Sequence, residues 1–144
     1  MDNKLILDIN KWHENGEYDK IIDTILAIPK ADYDFEVIGE LARAYNNVDL
    51  YDTAIEWLMS VSEKGTNDPL WNFRLGYSYF YKEDFEKALK LFEKAHALGD
   101  SRSFEFIDDC IEELERNKRL PQQDNSMNTI SENTNSRLPH SPND

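Results

Sequence analysis

One pattern recurs along this chain at a constant spacing, and it leaves few folds open. Leu41 returns as Leu75, Ala42 as Gly76, Tyr45 as Tyr79, Tyr51 as Phe85, Ala54 as Ala88, Ile55 as Leu89, Leu58 as Phe92 and Val61 as Ala95, at an offset of 34 in every pair. With 40% of residues hydrophobic, a random pair is apolar at both ends only about one time in six, so this run of matches defines a repeat. A looser copy precedes it at an offset of 33: Ile9, Trp12, Tyr18, Ile21, Ile22, Ile25 and Ile28 fall under Ala42, Tyr45, Tyr51, Ala54, Ile55, Leu58 and Val61. Asp8 falls under Leu41 and breaks the pattern, but Gly16 supplies a breaker where the turn is expected. Three repeats are therefore expected, over about 2–34, 35–68 and 69–102.

Within each unit the apolar residues fall at helical spacing on two successive segments, Leu75-Gly76-Tyr79 and then Phe85-Ala88-Leu89-Phe92-Ala95 in the third. The links between them, Val48-Asp49-Leu50 and Lys82-Glu83-Asp84, are short enough to force the two helices antiparallel. Asp68 is a good N-cap, and Pro69 stands at the first-turn position that needs no N–H donor. After the third repeat, Ser101 or Ser103 is expected to cap a seventh helix over about 102–119. Phe106, Ile107, Cys110, Ile111 and Leu114 form its apolar stripe, and Asp108, Asp109, Glu112, Glu113 and Glu115 lie elsewhere. This helix reads as a solubilising cap on the last interface.

Trp71, Leu75-Gly76, Tyr79, Ala88, Phe92 and Ala95 together resemble the tetratricopeptide repeat family, in particular its small bacterial-type members. The third repeat departs from the family pattern in two places: Trp71 stands one residue early, with Asn72 at the aromatic position, and Gly99-Asp100 replaces the closing Pro. The resemblance implies an all-α, right-handed α-solenoid of about three helix-turn-helix repeats plus a C-terminal capping helix.

The balance of 29 acidic against 16 basic side chains, a net charge of −13, repels phosphate backbones and anionic membrane surfaces. Nucleic acid and membrane are not expected partners. The single cysteine, Cys110, cannot form an internal disulfide, and the start of the chain has neither the basic n-region nor the apolar run of a signal peptide, so a cytoplasmic protein is expected. Beyond Pro121 the chain is rich in Asn, Ser and Pro, with only Met127, Ile130 and Leu138 as sizeable apolar groups. Residues 121–144 therefore read as a disordered polar tail.

No catalytic, metal or cofactor site is expected. His13, His96 and His140 have no ligand partners at metal spacing and read as surface residues near helix ends, and Cys110 reads as a buried structural thiol. No Gly-rich phosphate loop or nucleophile elbow occurs, and the acidic run from Glu112 to Glu115 reads as a solvated face. The expected function is an adaptor that binds a protein, as a peptide or a partner helix. The alternative is a structural subunit of a self-assembled or fixed complex, which leaves a homo-oligomer open.

In the resembled family the first helices line a concave groove. Carried onto this chain, the groove is lined by Ile6, Asn10 and His13; then by Glu36, Gly39, Glu40, Arg43, Asn46 and Asn47; then by Leu70, Phe73, Arg74, Tyr77, Phe80 and Tyr81. Periodicity marks part of this independently, because Leu70, Phe73, Tyr77 and Phe80 or Tyr81 make a second apolar stripe away from Leu75 and Tyr79. That stripe meets either neighbouring helices or a ligand, and the expectation is that Phe73 and Tyr77 stay open as anchors. Arg43 and Arg74, flanked by Asn10, Asn46 and Asn47, suit a carboxylate or backbone amides in a partner, although Arg43 pairing with Glu40 or Glu36 explains it equally. Gly39 inside a helix costs about 1 kcal/mol and marks a place where a ligand or another helix approaches the backbone.

Overall fold

In the computed structural model, which describes residues 2–120, the chain is all-helical and no strand occurs among those residues. The α-helices are α1 (Asn3–Glu14), α2 (Tyr18–Leu26), α3 (Phe35–Asn47), α4 (Tyr51–Met59), α5 (Ser62–Gly65), α6 (Pro69–Tyr81), α7 (Phe85–Ala97) and α8 (Ser103–Arg119). A 3-10 turn at Lys30–Asp32 precedes α3. That turn and the one-turn α5 go beyond the seven helices expected. Residues 121–144, expected as a polar tail, lie outside the described residues, as does His140.

Four of these helices end in one hydrogen-bonded motif. At the ends of α1, α3, α6 and α7 the residues Gly16, Asp49, Glu83 and Gly99 have φ of 74°, 65°, 66° and 113°. The amide of the next residue reaches back across the turn: Glu17 to the Trp12 carbonyl at 2.8 Å, and Leu50 to Tyr45, Asp84 to Tyr79 and Asp100 to Ala95 at 2.9 Å each. The left-handed residue itself donates to His13, Asn46, Phe80 and His96 respectively. This is the Schellman arrangement, which satisfies the last carbonyls of a helix while reversing the chain. Its recurrence under Trp12, Tyr45 and Tyr79 gives the sequence repeat a local cause, because each large aromatic sits where the turn closes.

Helix starts are matched in the same way. Asp34 accepts from the Val37 amide at 2.8 Å and Asp68 from the Trp71 amide at 2.8 Å, so α3 and α6 begin under equivalent caps at matching positions of adjacent repeats. The start of α8 differs from expectation. Neither Ser101 nor Ser103 caps it; the Asp100 carboxylate accepts from the Ser103 amide at 3.0 Å and from the Ser103 hydroxyl at 2.7 Å. The ionised carboxylate, an acceptor only, takes both bonds on one oxygen, Oδ2.

Packing follows chain order: α1 lies on α2, α2 on α3, α3 on α4, α4 and α3 on α6, α6 on α7, and α7 on α8. Three apolar clusters result. Ile9, Ile21, Ile25, Val37 and Leu41 fill the first; Ala42, Ala54, Leu58, Trp71 and Leu75 the second; Phe73, Phe80, Phe92, Phe106 and Cys110 the third. Close approach at Gly76 is required, since a Cβ there would stand 2.9 Å from the Phe92 ring, and the small-residue position is what lets α6 and α7 meet.

In α8 the buried face is Ser103, Phe106, Cys110 and Glu113, while Ile107 and Leu114 are half-buried and Ile111 is exposed. The expected stripe is thus rotated by part of a turn. The acidic run is not wholly solvated either: Glu113 is buried and pairs with Arg116 at 3.3 Å, whereas Glu112 and Glu115 are exposed.

The turn geometry yields a test. A non-glycine residue in the left-handed region costs about 1–2 kcal/mol, partly offset in Gly variants by the greater chain entropy of the unfolded state. Glu83→Gly should therefore raise the unfolding free energy by roughly 0.5 to 1 kcal/mol in urea denaturation. Asp49→Gly should gain less, because Asp tolerates this region better and the Asp49 carboxylate accepts from the Tyr51 hydroxyl at 2.7 Å.

Candidate functional site

The matched caps of α3 and α6 set two first-turn segments side by side, and a cleft of about 260 Å³ opens between them. Phe35, Leu58, Val61, Leu70 and Trp71 supply its apolar lining, and Glu36, Glu40, Asp68 and Arg74 its polar lining. Trp71 is locked in place: its indole N–H donates to the Leu58 carbonyl at 2.7 Å, and its ring lies so close to Gly65 that a Cβ there would stand 2.4 Å from it. Asn72, one position later, donates to the Asp68 carbonyl at 2.9 Å and to those of Gly65 and Thr66 at 3.3 Å. Asn72, next to the locked Trp71, thus ties α6 to the α5–α6 link. Leu70 remains 42% exposed at the cleft.

Glu40 is the centre of a charged cluster beside this cleft. Its carboxylate lies 3.4 Å from Arg74 Nη2, 3.4 Å from Arg43 Nη1 and 3.3 Å from His13 Nε2. Burial works against the charged carboxylate, but the His13 contact and the Arg74 and Arg43 guanidinium groups outweigh it and hold Glu40 at about 2, below its ordinary 4.5. Burial has the upper hand at His13, pulling it below 6.5 against the Glu40 carboxylate. His13 is thus mainly neutral at neutral pH. Neither of its buried ring nitrogens is in line for a hydrogen bond among the described residues, so its contact with Glu40 is electrostatic proximity.

The residues expected to line a groove divide sharply. Asn10 and Leu70 are exposed, and Arg43, Asn47 and Tyr81 are half-buried. Asn46, Phe73, Arg74, Tyr77 and Phe80 are buried. The expectation that Phe73 and Tyr77 stay open is corrected: Phe106 of α8 nests among Phe73, Tyr77 and Phe80 at ring-centroid distances of 5.5, 6.0 and 5.2 Å, and the Arg102 guanidinium lies 4.0 Å over Phe73. Phe73, Tyr77 and Phe80 of α6 are core and α8 covers them, while Leu70 at the start of the stripe stays exposed.

Asn46 is likewise spent inside the protein. Its Nδ2 donates to the Arg74 carbonyl at 3.1 Å and its Oδ1 accepts from the Ser78 hydroxyl at 2.7 Å. Asn47 differs, since both its side-chain polar atoms are buried without a hydrogen-bond partner among the described residues. Gly39 is explained by α6: a Cβ there would stand 2.7 Å from Arg74 Nη1. Another helix, through its arginine, is what approaches the backbone. Arg43 pairs with Glu40, one of the two expected partners.

Sequence reasoning missed the role of Glu40 and placed His13 on the surface, whereas His13 is only 1% exposed. A signal for Glu40 was present: Arg74 stands one full repeat beyond it, so the two occupy one register position in adjacent units with opposite charges. His13 was obscured by the change of offset to 33. His96 is exposed and Cys110 buried, as expected. Among the described residues, no group of three or more His, Cys, Asp or Glu is placed to hold a metal ion, and no helix is long and apolar enough to cross a membrane.

No family model and no curated protein matches the chain.

The cluster has a pH signature. Glu40, lowered in the folded state, contributes stability that is present above its unfolded value of 4.5 and lost as pH falls toward about 2. His13, also lowered, adds a loss of the same sign that begins as pH falls through 6.5, because the unfolded chain takes up that proton first. Between pH 5 and pH 3 the wild-type unfolding free energy should fall by about 2 kcal/mol more than that of Glu40→Gln. Urea titrations at the two pH values measure the difference.

Proposed function

We propose that this chain is a right-handed α-solenoid of tetratricopeptide type and that it acts by holding another polypeptide, with no catalysis and no cofactor of its own. The observation that carries the reading is the cleft between α3 and α6. It joins the first helices of two adjacent repeats, it presents exposed Leu70 beside apolar walls, and the Glu36, Glu40 and Asp68 carboxylates line it. A peptide laid along the cleft would bury Leu70 and offer N–H donors to the carboxylates that line it, two of which, Glu40 and Asp68, the fold has fixed in advance, which lowers the entropic cost of binding.

The site differs from the one the aromatic residues suggested. Phe73 and Tyr77 help to build the cleft only by fixing α6, and truncating a buried aromatic of this kind costs about 3–5 kcal/mol of folding free energy. The net charge of −13 argues for a protein partner over nucleic acid or an anionic membrane. We assign the protein to the cytoplasm on its single cysteine, which calls for no oxidising compartment.

The test is affinity purification with mass spectrometry on wild type and on the double variant Glu36→Arg, Leu70→Arg. Both side chains are exposed, so helicity and melting temperature should hold while co-purifying proteins are lost. Retention of the same partners by the folded double variant would place binding elsewhere. A second reading, a structural subunit that assembles with itself, is favoured by one specific feature, the apolar stripe of α8.

A further inference from the structure

Consecutive first helices of this chain meet through one recurring register position of the earlier helix. His13 of α1 stands 3.3 Å from Glu40 of α3. Asn46 of α3 bonds to the Arg74 carbonyl and the Ser78 hydroxyl of α6. Phe80 of α6 packs edge-on against Phe106 of α8 at 5.2 Å. His13, Asn46 and Phe80 are separated by the offsets of the sequence repeat, and one further step of the same size arrives at Leu114. Two turns earlier on the same face, Gly39 receives Arg74 and Phe73 receives Phe106, and the next step arrives at Ile107.

α8 begins at Ser103, one repeat length after the start of α6 at Pro69. It therefore occupies the first-helix position of a fourth unit and carries apolar residues where a following helix would be received. Ile107 and Leu114 are half-buried against the third cluster, and Phe104 and Ile111, 59% and 41% exposed, complete the stripe at i, i+3, i+7 and i+10. No further helix follows among the described residues.

Charge selects the occupant. The first two turns of α8 expose Glu105 and Asp108, Glu112 stands just past its middle, and its last turn carries Arg116, Lys118 and Arg119. Two such helices side by side in the same direction set acid against acid. Reversed, they bring Lys118 and Arg119 of each toward Glu105 and Asp108 of the other, and the stripe meets itself with Ile111 close to the centre, as a two-fold interface requires.

We propose that α8 is a self-association surface, on which a second copy of this chain packs its own α8 antiparallel about a two-fold axis near Ile111. The surface shares no lining residue with the α3–α6 cleft, so dimerisation leaves that cleft open. One helix face of 17 residues, about 25 Å long, buries less than a standard interface, and the net charge of −13 opposes approach. The dimer is therefore weak and forms in the micromolar range or above.

Sedimentation velocity on the full chain from about 10 to about 500 µM reads this directly. The expected average mass rises from 16.9 kDa toward twofold and no higher. Ile111→Glu and Phe104→Glu, each checked for unchanged circular dichroism and melting temperature, should each hold the mass at one chain. In a Cys110→Ala background, Ile111→Cys should cross-link on oxidation and Leu26→Cys, exposed on α2, should not. A single-chain mass at every concentration overturns the proposal, as does growth beyond two chains or a dimer that folded Ile111→Glu leaves intact. Because α8 and the cleft are separate, Ile111→Glu should keep the partners that Glu36→Arg, Leu70→Arg loses.

Discussion

The rest of this structure depends on the contact that each first helix makes with the next from one register position of its own. Two helices joined by a Schellman turn form a unit that cannot cover its own apolar surface. What holds successive units in line is the pair formed by His13 and Glu40, then Asn46 and Ser78, then Phe80 and Phe106. One register position of the earlier helix brings an imidazole to a carboxylate at the first junction, an amide to a hydroxyl at the second and one aromatic ring to another at the third, and the residue it meets falls at a different register each time. Backbone geometry fixes where the contact falls, and the side chains decide what kind it is.

That gradient has consequences. The third junction is dry and well packed, and truncating one of its rings leaves a cavity. The first two carry buried polar groups whose value lies more in fixing register than in raw stability, since the desolvation of an ion pair such as Glu40 and Arg74 offsets much of its attraction. Two of these groups are incompletely satisfied, the His13 ring and Arg74 Nε. Such atoms cost free energy when buried without a partner, and they sit next to the cleft proposed as the binding site.

Much of this was legible in the sequence because each junction imposes the same demands at the same interval along the chain. Large aromatics at Trp12, Tyr45 and Tyr79 close the turns, small residues at Ala42, Gly76 and Ala88 let helices approach, and Asp34 and Asp68 start them. The surface proposed for binding was not legible. An apolar stripe such as Phe73, Tyr77 and Phe80 looks the same in sequence whether a ligand or the next helix covers it. The decision rests with α8, whose Phe106 falls one repeat beyond Asn72, a polar residue that gives no hint of a ring at that position. Asn46 misled for a related reason: a groove-facing amide and a junction amide have the same local spacing.

The most direct test of the account is a double-mutant cycle between Glu40 and Arg74, using Glu40→Gln, Arg74→Met and the double variant, with stability measured by urea denaturation at pH 7. A register contact across adjacent units predicts that the double variant is less destabilised than the sum of the singles, by a coupling energy above about 1 kcal/mol. Additivity within about 0.5 kcal/mol would contradict it, since the two side chains would then be neighbours without holding the units together.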